Sequence, residues 1–112
     1  MKVDQEIEAR VWPAPRVTAM QVENAIANED YFTAAQGVIG ARGTVQFSSP
    51  LLLLTFCVLT LRNGFMVTGE SACASPENFD AEIGKRLARQ NAVIKVWPLL
   101  GFSLRESLHQ SF

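Results

Sequence analysis

Leu51-Leu-Leu-Leu-Thr-Phe-Cys-Val-Leu-Thr-Leu-Arg-Asn-Gly-Phe-Met-Val-Thr-Gly-Glu-Ser-Ala-Cys73 holds two apolar, β-branched or aromatic runs that meet at Asn63-Gly64. That dipeptide between two such runs is the strongest short-range signal for a β-hairpin, because both central residues of a type I′ turn need positive φ. If Asn63-Gly64 is the whole turn, Arg62 stands opposite Phe65, Thr60 opposite Val67 and Cys57 opposite Glu70. Side chains then sort by parity. One face carries Leu52, Leu54, Phe56, Val58, Phe65 and Val67 and is the expected main core. The other carries Leu51, Leu53, Thr55, Cys57, Leu59, Leu61, Met66, Thr68, Glu70 and Ala72. Both are too apolar for a half-solvated antiparallel sheet, so both should be covered, either by helices of the same chain or by a second copy.

A second element follows the hairpin. Ser75 is a candidate N-cap, Pro76 suits the first helical position, and Glu77, Asp80 and Glu82 place negative charge where the helix dipole favours it. Lys85, Arg86, Arg89 and Lys95 come later, and Pro98 should end or kink the helix after Trp97. At about 100° per residue, Phe79, Ile83, Leu87, Ile94 and Trp97 fall in one arc, expected to pack on the hairpin. Ala81, Gly84, Ala88 and Ala92 form a narrow strip of small side chains, expected to admit another helix at close range. Leu99, Leu100, Phe102, Leu104 and Leu108 make the C-terminal segment apolar enough to dock.

Upstream, Trp12-Pro13-Ala14-Pro15 favours an extended arm over residues 1–17, followed by a single domain over 18–112. Thr18 and Gln21 form a Thr-x-x-Gln capping box, with Val17 and Val22 at the positions of a hydrophobic staple, so a short helix should start there and end near Asn28 to Asp30. Between Tyr31 and Pro50, Gly37, Gly40 and Gly43 interrupt any period; Thr44-Val45-Gln46-Phe47 alternates as a brief edge strand would. The whole is an α+β domain: an antiparallel hairpin or small three-stranded sheet packed against a long C-terminal helix, with a short N-terminal helix.

Composition excludes several function classes. A net charge of -1 and a pI near 5.8 lack the basic surplus of a nucleic-acid binder. The longest apolar run, Leu51 to Leu54, is too short to cross a membrane as a helix, and Met1-Lys2-Val3-Asp4-Gln5-Glu6 has no apolar core of a secretion signal. Cys57 and Cys73 point to opposite faces in the expected register and read as reduced thiols of a cytoplasmic protein. With His109 the one histidine, no metal-ligand set and no serine-histidine catalytic pair is expected, and no cofactor motif is present.

The stretch Leu54 to Cys73, with Ser75-Pro-Glu-Asn-Phe-Asp-Ala-Glu-Ile-Gly84, Val96-Trp-Pro-Leu-Leu-Gly-Phe102, Ala14-Pro-Arg-Val-Thr18 and Asp30-Tyr-Phe-Thr33, resembles the small tailed-phage protein family named after gene product forty-nine of coliphage N4 and gene sixty-six of a Shigella phage. The resemblance implies a bacteriophage or prophage origin, expression in the host cytoplasm and an accessory role. It carries no activity with it.

Glu70 is the most informative polar residue, a carboxylate on a strand face otherwise built of Leu, Cys, Met and Thr. Buried, it needs a cationic partner such as Arg62, Arg89 or Lys95, with Thr68 and Ser71 as further contacts; solvated at the strand's end, it needs none. These six residues are the candidate binding set. Leu53, Cys57, Leu59, Met66, Gly84 and Ala88 are the candidate surface between copies of a homo-oligomer. The sequence therefore points to a binding protein rather than an enzyme. Its expected partner is a host protein, which it would modulate, with a small nucleotide-like ligand held between copies as the alternative.

Overall fold

The computed structural model describes residues 14–110, so the expected arm lies, up to residue 13, outside the described residues. Helix α1 (Ala19–Ala25) runs straight into strand β1 (Ile26–Thr33), followed by helix α2 (Ala34–Arg42), strands β2 (Leu54–Leu61) and β3 (Met66–Ala72), and helix α3 (Ala81–Gln110). The strands form one antiparallel sheet in the order β1-β2-β3, and α3 packs along one face of it. The fold is α+β, with the third strand supplied from upstream.

The expected cap builds α1. The Gln21 N–H donates to Thr18 Oγ1 at 3.1 Å, and the Thr18 N–H donates to Gln21 Oε1 at 3.0 Å. Val22 is fully buried, but α1 ends at Ala25 rather than near Asp30 because residues 26–33 pair with β2. A second capping box follows: Thr33 and Gln36 exchange the same two bonds and open α2 where sequence reading found only an irregular connection. Gly43 closes α2 at a φ of 68°, in the left-handed region that glycine enters without strain. Thr44–Phe47 is not a strand; it is a loop leading to a 3-10 turn over Ser49–Leu53.

The hairpin forms, with a register one residue away from expectation. The Gly64 N–H donates to the Leu61 carbonyl at 2.9 Å and the Leu61 N–H to the Phe65 carbonyl at 2.8 Å, so the loop is Arg62-Asn63-Gly64, with φ of 89° at Gly64. A type I turn closed by a left-handed glycine uses the same dipeptide as a two-residue turn. Leu59 therefore faces Val67, Cys57 faces Gly69 and Phe56 faces Glu70. The slip exchanges the faces of β3 relative to β2. The buried face carries Thr55, Cys57, Leu59, Leu61, Val67 and Gly69, so of the expected main-core set Val67 is in the core while Leu54, Phe56 and Val58 of β2 lie on the outer face.

That outer face is covered at one end only. Phe32 and Phe56 stack there with ring centroids 5.4 Å apart, and Gly37 of α2 lies against the Phe32 ring. Toward the hairpin loop the same face presents half-buried Val58 and Thr60 and exposed Met66, Thr68 and Glu70. It needs less cover than expected because the slipped register brings Thr68 and Glu70 to it.

Helix α3 also meets the sheet with the opposite side from the one expected. Gly84, Ala88, Ala92 and Val96 are its buried residues. The small strip lies on the sheet because Gly69 of β3 admits the helix backbone: a β-carbon there would stand 2.2 Å from the Ala88 carbonyl oxygen and 2.3 Å from the Ala92 nitrogen. Leu59, Leu61 and Val67 of the sheet fill the space beneath the helix, so close packing leaves room only for small residues at 84, 88 and 92, with Val96 the first larger buried side chain along α3. Asp80, not Ser75, caps α3, its Oδ1 accepting from the N–H groups of Glu82 and Ile83 at 2.9 and 3.1 Å; Pro76–Asn78 is a separate 3-10 turn. The helix continues through Pro98, whose missing N–H falls on the exposed side where water can satisfy the freed Ile94 carbonyl.

Candidate functional site

With its small strip facing inward, α3 turns its large apolar residues to solvent. Ile83 is 45%, Leu87 41%, Ile94 63% and Trp97 37% exposed. They stand on the helix side opposite Gly84, Ala88 and Ala92, as 100° per residue requires. Four large apolar side chains in one row on a continuous helix form a patch, which differs from the scattered exposed Leu of an ordinary surface.

The row is bordered by two depressions. At its N-terminal end a cleft of about 280 Å³ is lined by Ser71, Cys73, Asn78, Phe79 and Asp80 together with Ile83 and Leu87. Alongside its middle a groove of about 360 Å³ separates α3 from α1, with Ala19, Val22 and Glu23 on one wall and Gln90, Val93, Ile94 and Trp97 on the other. Both are mostly apolar and open.

Arg89 also lines the groove. Its Nη2 and Nη1 donate to the two carboxylate oxygens of Glu23 at 2.8 and 3.2 Å, and its Nε donates to Glu29 Oε2 at 3.0 Å. One guanidinium thus ties α1, β1 and α3 together, in the forked geometry that suits carboxylates. Its two carboxylate partners hold Arg89 firmly protonated, raising its pKa. The hydrogen bond from Arg89 lowers the pKa of Glu29, and a second from the Tyr31 hydroxyl at 2.7 Å lowers it further. Burial, then the bond to Glu29, pushes Tyr31 well above its ordinary value of 10.0. Burial likewise raises the Cys57 thiol beneath it.

The residues singled out in the sequence do not converge. Thr68 and Glu70 stand exposed on the outer sheet face, whereas Ser71 points the other way and lines the N-terminal cleft. Arg62 lies in the hairpin loop, where its Nε donates to the Asn24 carbonyl, and Lys95 is exposed on α3. Arg89 is taken up by Glu23 and Glu29, so the Glu70 carboxylate is the solvated one of the two possibilities. Of the candidate surface between copies, Cys57, Leu59, Gly84 and Ala88 are buried in the chain's own core, out of reach of another molecule. Leu53 is half-buried beside the N-terminal cleft, and Met66 is exposed on the outer sheet face. Sequence reading did identify the row Ile83, Leu87, Ile94 and Trp97, but gave it to the core.

Residues 17–108 match the phage protein family described as N4 Gp49/phage Sf6 gene 66. The chain belongs to that family. The match begins beside the cap of α1 and ends in the last turns of α3, so it spans the whole α+β unit. No curated protein and no solved structure matches the chain. Among the described residues no helix is long and apolar enough to cross a membrane, and no group of three or more His, Cys, Asp or Glu side chains is placed to hold a metal ion.

Proposed function

We propose that this phage protein acts by binding in the host cytoplasm, without catalysis, and that it modulates a host process by seating a host protein on the outer side of α3. One observation carries the reading: Ile83, Leu87, Ile94 and Trp97 form an exposed apolar row flanked by two open clefts. Such a row suits an amphipathic partner whose apolar side chains enter the clefts while polar groups meet the rim. The nucleotide-like ligand reading finds less support, because Thr68 and Glu70 share no cluster with basic side chains.

The test is recovery of the tagged full-length chain from infected host cells, comparing wild type with Ile94→Asp and with Thr68→Arg on the opposite surface. A host protein should come down with wild type and Thr68→Arg and fall at least about tenfold with Ile94→Asp, as expected for loss of a buried anchor. Equal recovery with all three, or recovery of released small molecules alone, overturns the reading.

A further inference from the structure

From the spacing of the exposed row we infer that, in the free protein, the outer face of α3 is covered by the same face of a second copy, with the two helices antiparallel. This rests on the reading of that face as a contact surface and names its occupant before a host protein is met. Exposed Ile83, Leu87, Ile94 and Trp97 and half-buried Leu104 and Leu108 recur at alternating steps of three and four along one side of α3, with Gln90 and Gly101 as the two interruptions of the series. A 3.5-residue repeat is the pattern by which one helix tracks another, and a repeat present in one chain is present in its copy.

The two interruptions select the orientation. Among the described residues, and beyond its own turn of helix, nothing stands within 4 Å of the β-carbon position of Gly101, so this point of the row is a hollow. Parallel pairing would set Gly101 on Gly101 and leave a void in the seam, at a cost in packing. Antiparallel pairing that seats Gln90 of one copy over Gly101 of the other fills the hollow. It also brings Ile83 against Leu108, Leu87 against Leu104 and Ile94 against Trp97.

The helix dipoles favour this orientation, and the flanking side-chain charges are mixed. Lys85 of one copy comes level with Glu106 of the other, Arg86 comes level with Arg105, and the two helix dipoles run opposed. A strip of this length and the width of one helix removes on the order of 1,000 Å² in total, at the lower edge of specific interfaces. The dimer is therefore concentration-dependent, and a host protein can exchange for one copy.

Sedimentation or light scattering of the purified full-length chain, without host material, tests the pairing between about 1 and 200 µM, the range in which so small an interface should dissociate. Wild type should pass from monomer to dimer, and Ile94→Asp should raise the dissociation constant at least about tenfold. In a Cys73→Ser background, Gln90→Cys mixed with Gly101→Cys should form a disulfide-linked dimer on mild oxidation, and Gln90→Cys alone should not. A monomer throughout overturns the inference and leaves the face to a host protein or to the chain's own N-terminal segment, with the host-binding reading intact. A dimer indifferent to Ile94→Asp, or efficient self-linking of Gln90→Cys, also overturns it.

Discussion

Gly69 of β3 lies so close under Ala88 of α3 that a β-carbon on it would stand 2.2 Å from the Ala88 carbonyl oxygen. No rotamer relieves that overlap, because the atoms met belong to the helix backbone. Gly69→Ala should therefore lift α3 and destabilise the fold by about 1–3 kcal/mol or more. Gly40→Ala in α2, where an added methyl meets nothing, should be neutral or stabilise by up to about 1 kcal/mol. Urea unfolding of the two variants against wild type checks the contrast.

The arc of apolar positions places Ile83 and Leu87 in the core, where truncation to alanine costs about 2–5 kcal/mol. At 45% and 41% exposed they have only part of that to lose, so each alanine variant should cost under about 1.5 kcal/mol. Val96→Ala, fully buried, should cost more than either. Thermal or chemical denaturation at low protein concentration, where the monomer dominates, gives the comparison.

Tyr31 is the chain's one tyrosine, so its ionisation can be followed directly by ultraviolet absorbance. Burial and the bond to Glu29 raise its folded pKa, which favours the neutral form in the folded state. Stability from this group is complete below the unfolded value near 10.0 and is lost as pH rises toward the folded one. The titration should lie well above that of the denatured chain, and Tyr31→Phe should flatten the alkaline fall in melting temperature.

Glu29 behaves in the opposite sense. Its folded pKa is depressed by Arg89 first and Tyr31 second, so its contribution is present above the ordinary carboxylate value of 4.5 and fades as pH falls below it. Glu29→Gln should reduce the loss of stability between neutral and acid pH. A double-mutant cycle with Arg89→Met should give a coupling of about 0.5–1 kcal/mol that shrinks with added salt.

The two thiols should differ sharply toward an aqueous disulfide reagent. Cys57 is fully enclosed and its thiolate is disfavoured by burial, whereas half-buried Cys73 lines an open cleft. Cys73 should react in the native protein and Cys57 only on unfolding, as Cys73→Ser would show by removing the fast phase.

Local signals were legible wherever chemistry is short-range. Thr18 and Gln21 located α1, Asn63-Gly64 located the hairpin, and the alternation from Leu54 onward located β2. Thr33 and Gln36 carried the same capping signal for α2, obscured by the glycines that follow. The register was not legible, because Gly64 serves a two-residue and a three-residue loop equally well. The orientation of α3 was hidden too, since a helix apolar on two sides has two ways to lie, and Gly69 on another element decides between them. Strand β1 carries Asn28-Glu29-Asp30 and has no apolar alternation; its pairing with β2 and the hold of Arg89 on Glu29 make it a strand. The row Ile83 to Trp97 could be read as apolar but not as exposed, and only docking of the opposite strip separates the two.

The lid of the sheet is synthesised after all three strands that it covers. Arg89 lies 60 positions after Glu29 and 66 after Glu23, and Ala88 and Ala92 follow Gly69 in chain order, beyond the linker that opens α3. A ribosome-bound chain that has emerged only as far as Cys73 has Cys57, Leu59 and Val67 bare and its acidic corner without a counter-charge. Translation products cut short before α3 should therefore be prey for host chaperones and proteases, leaving the finished molecule as the form that accumulates.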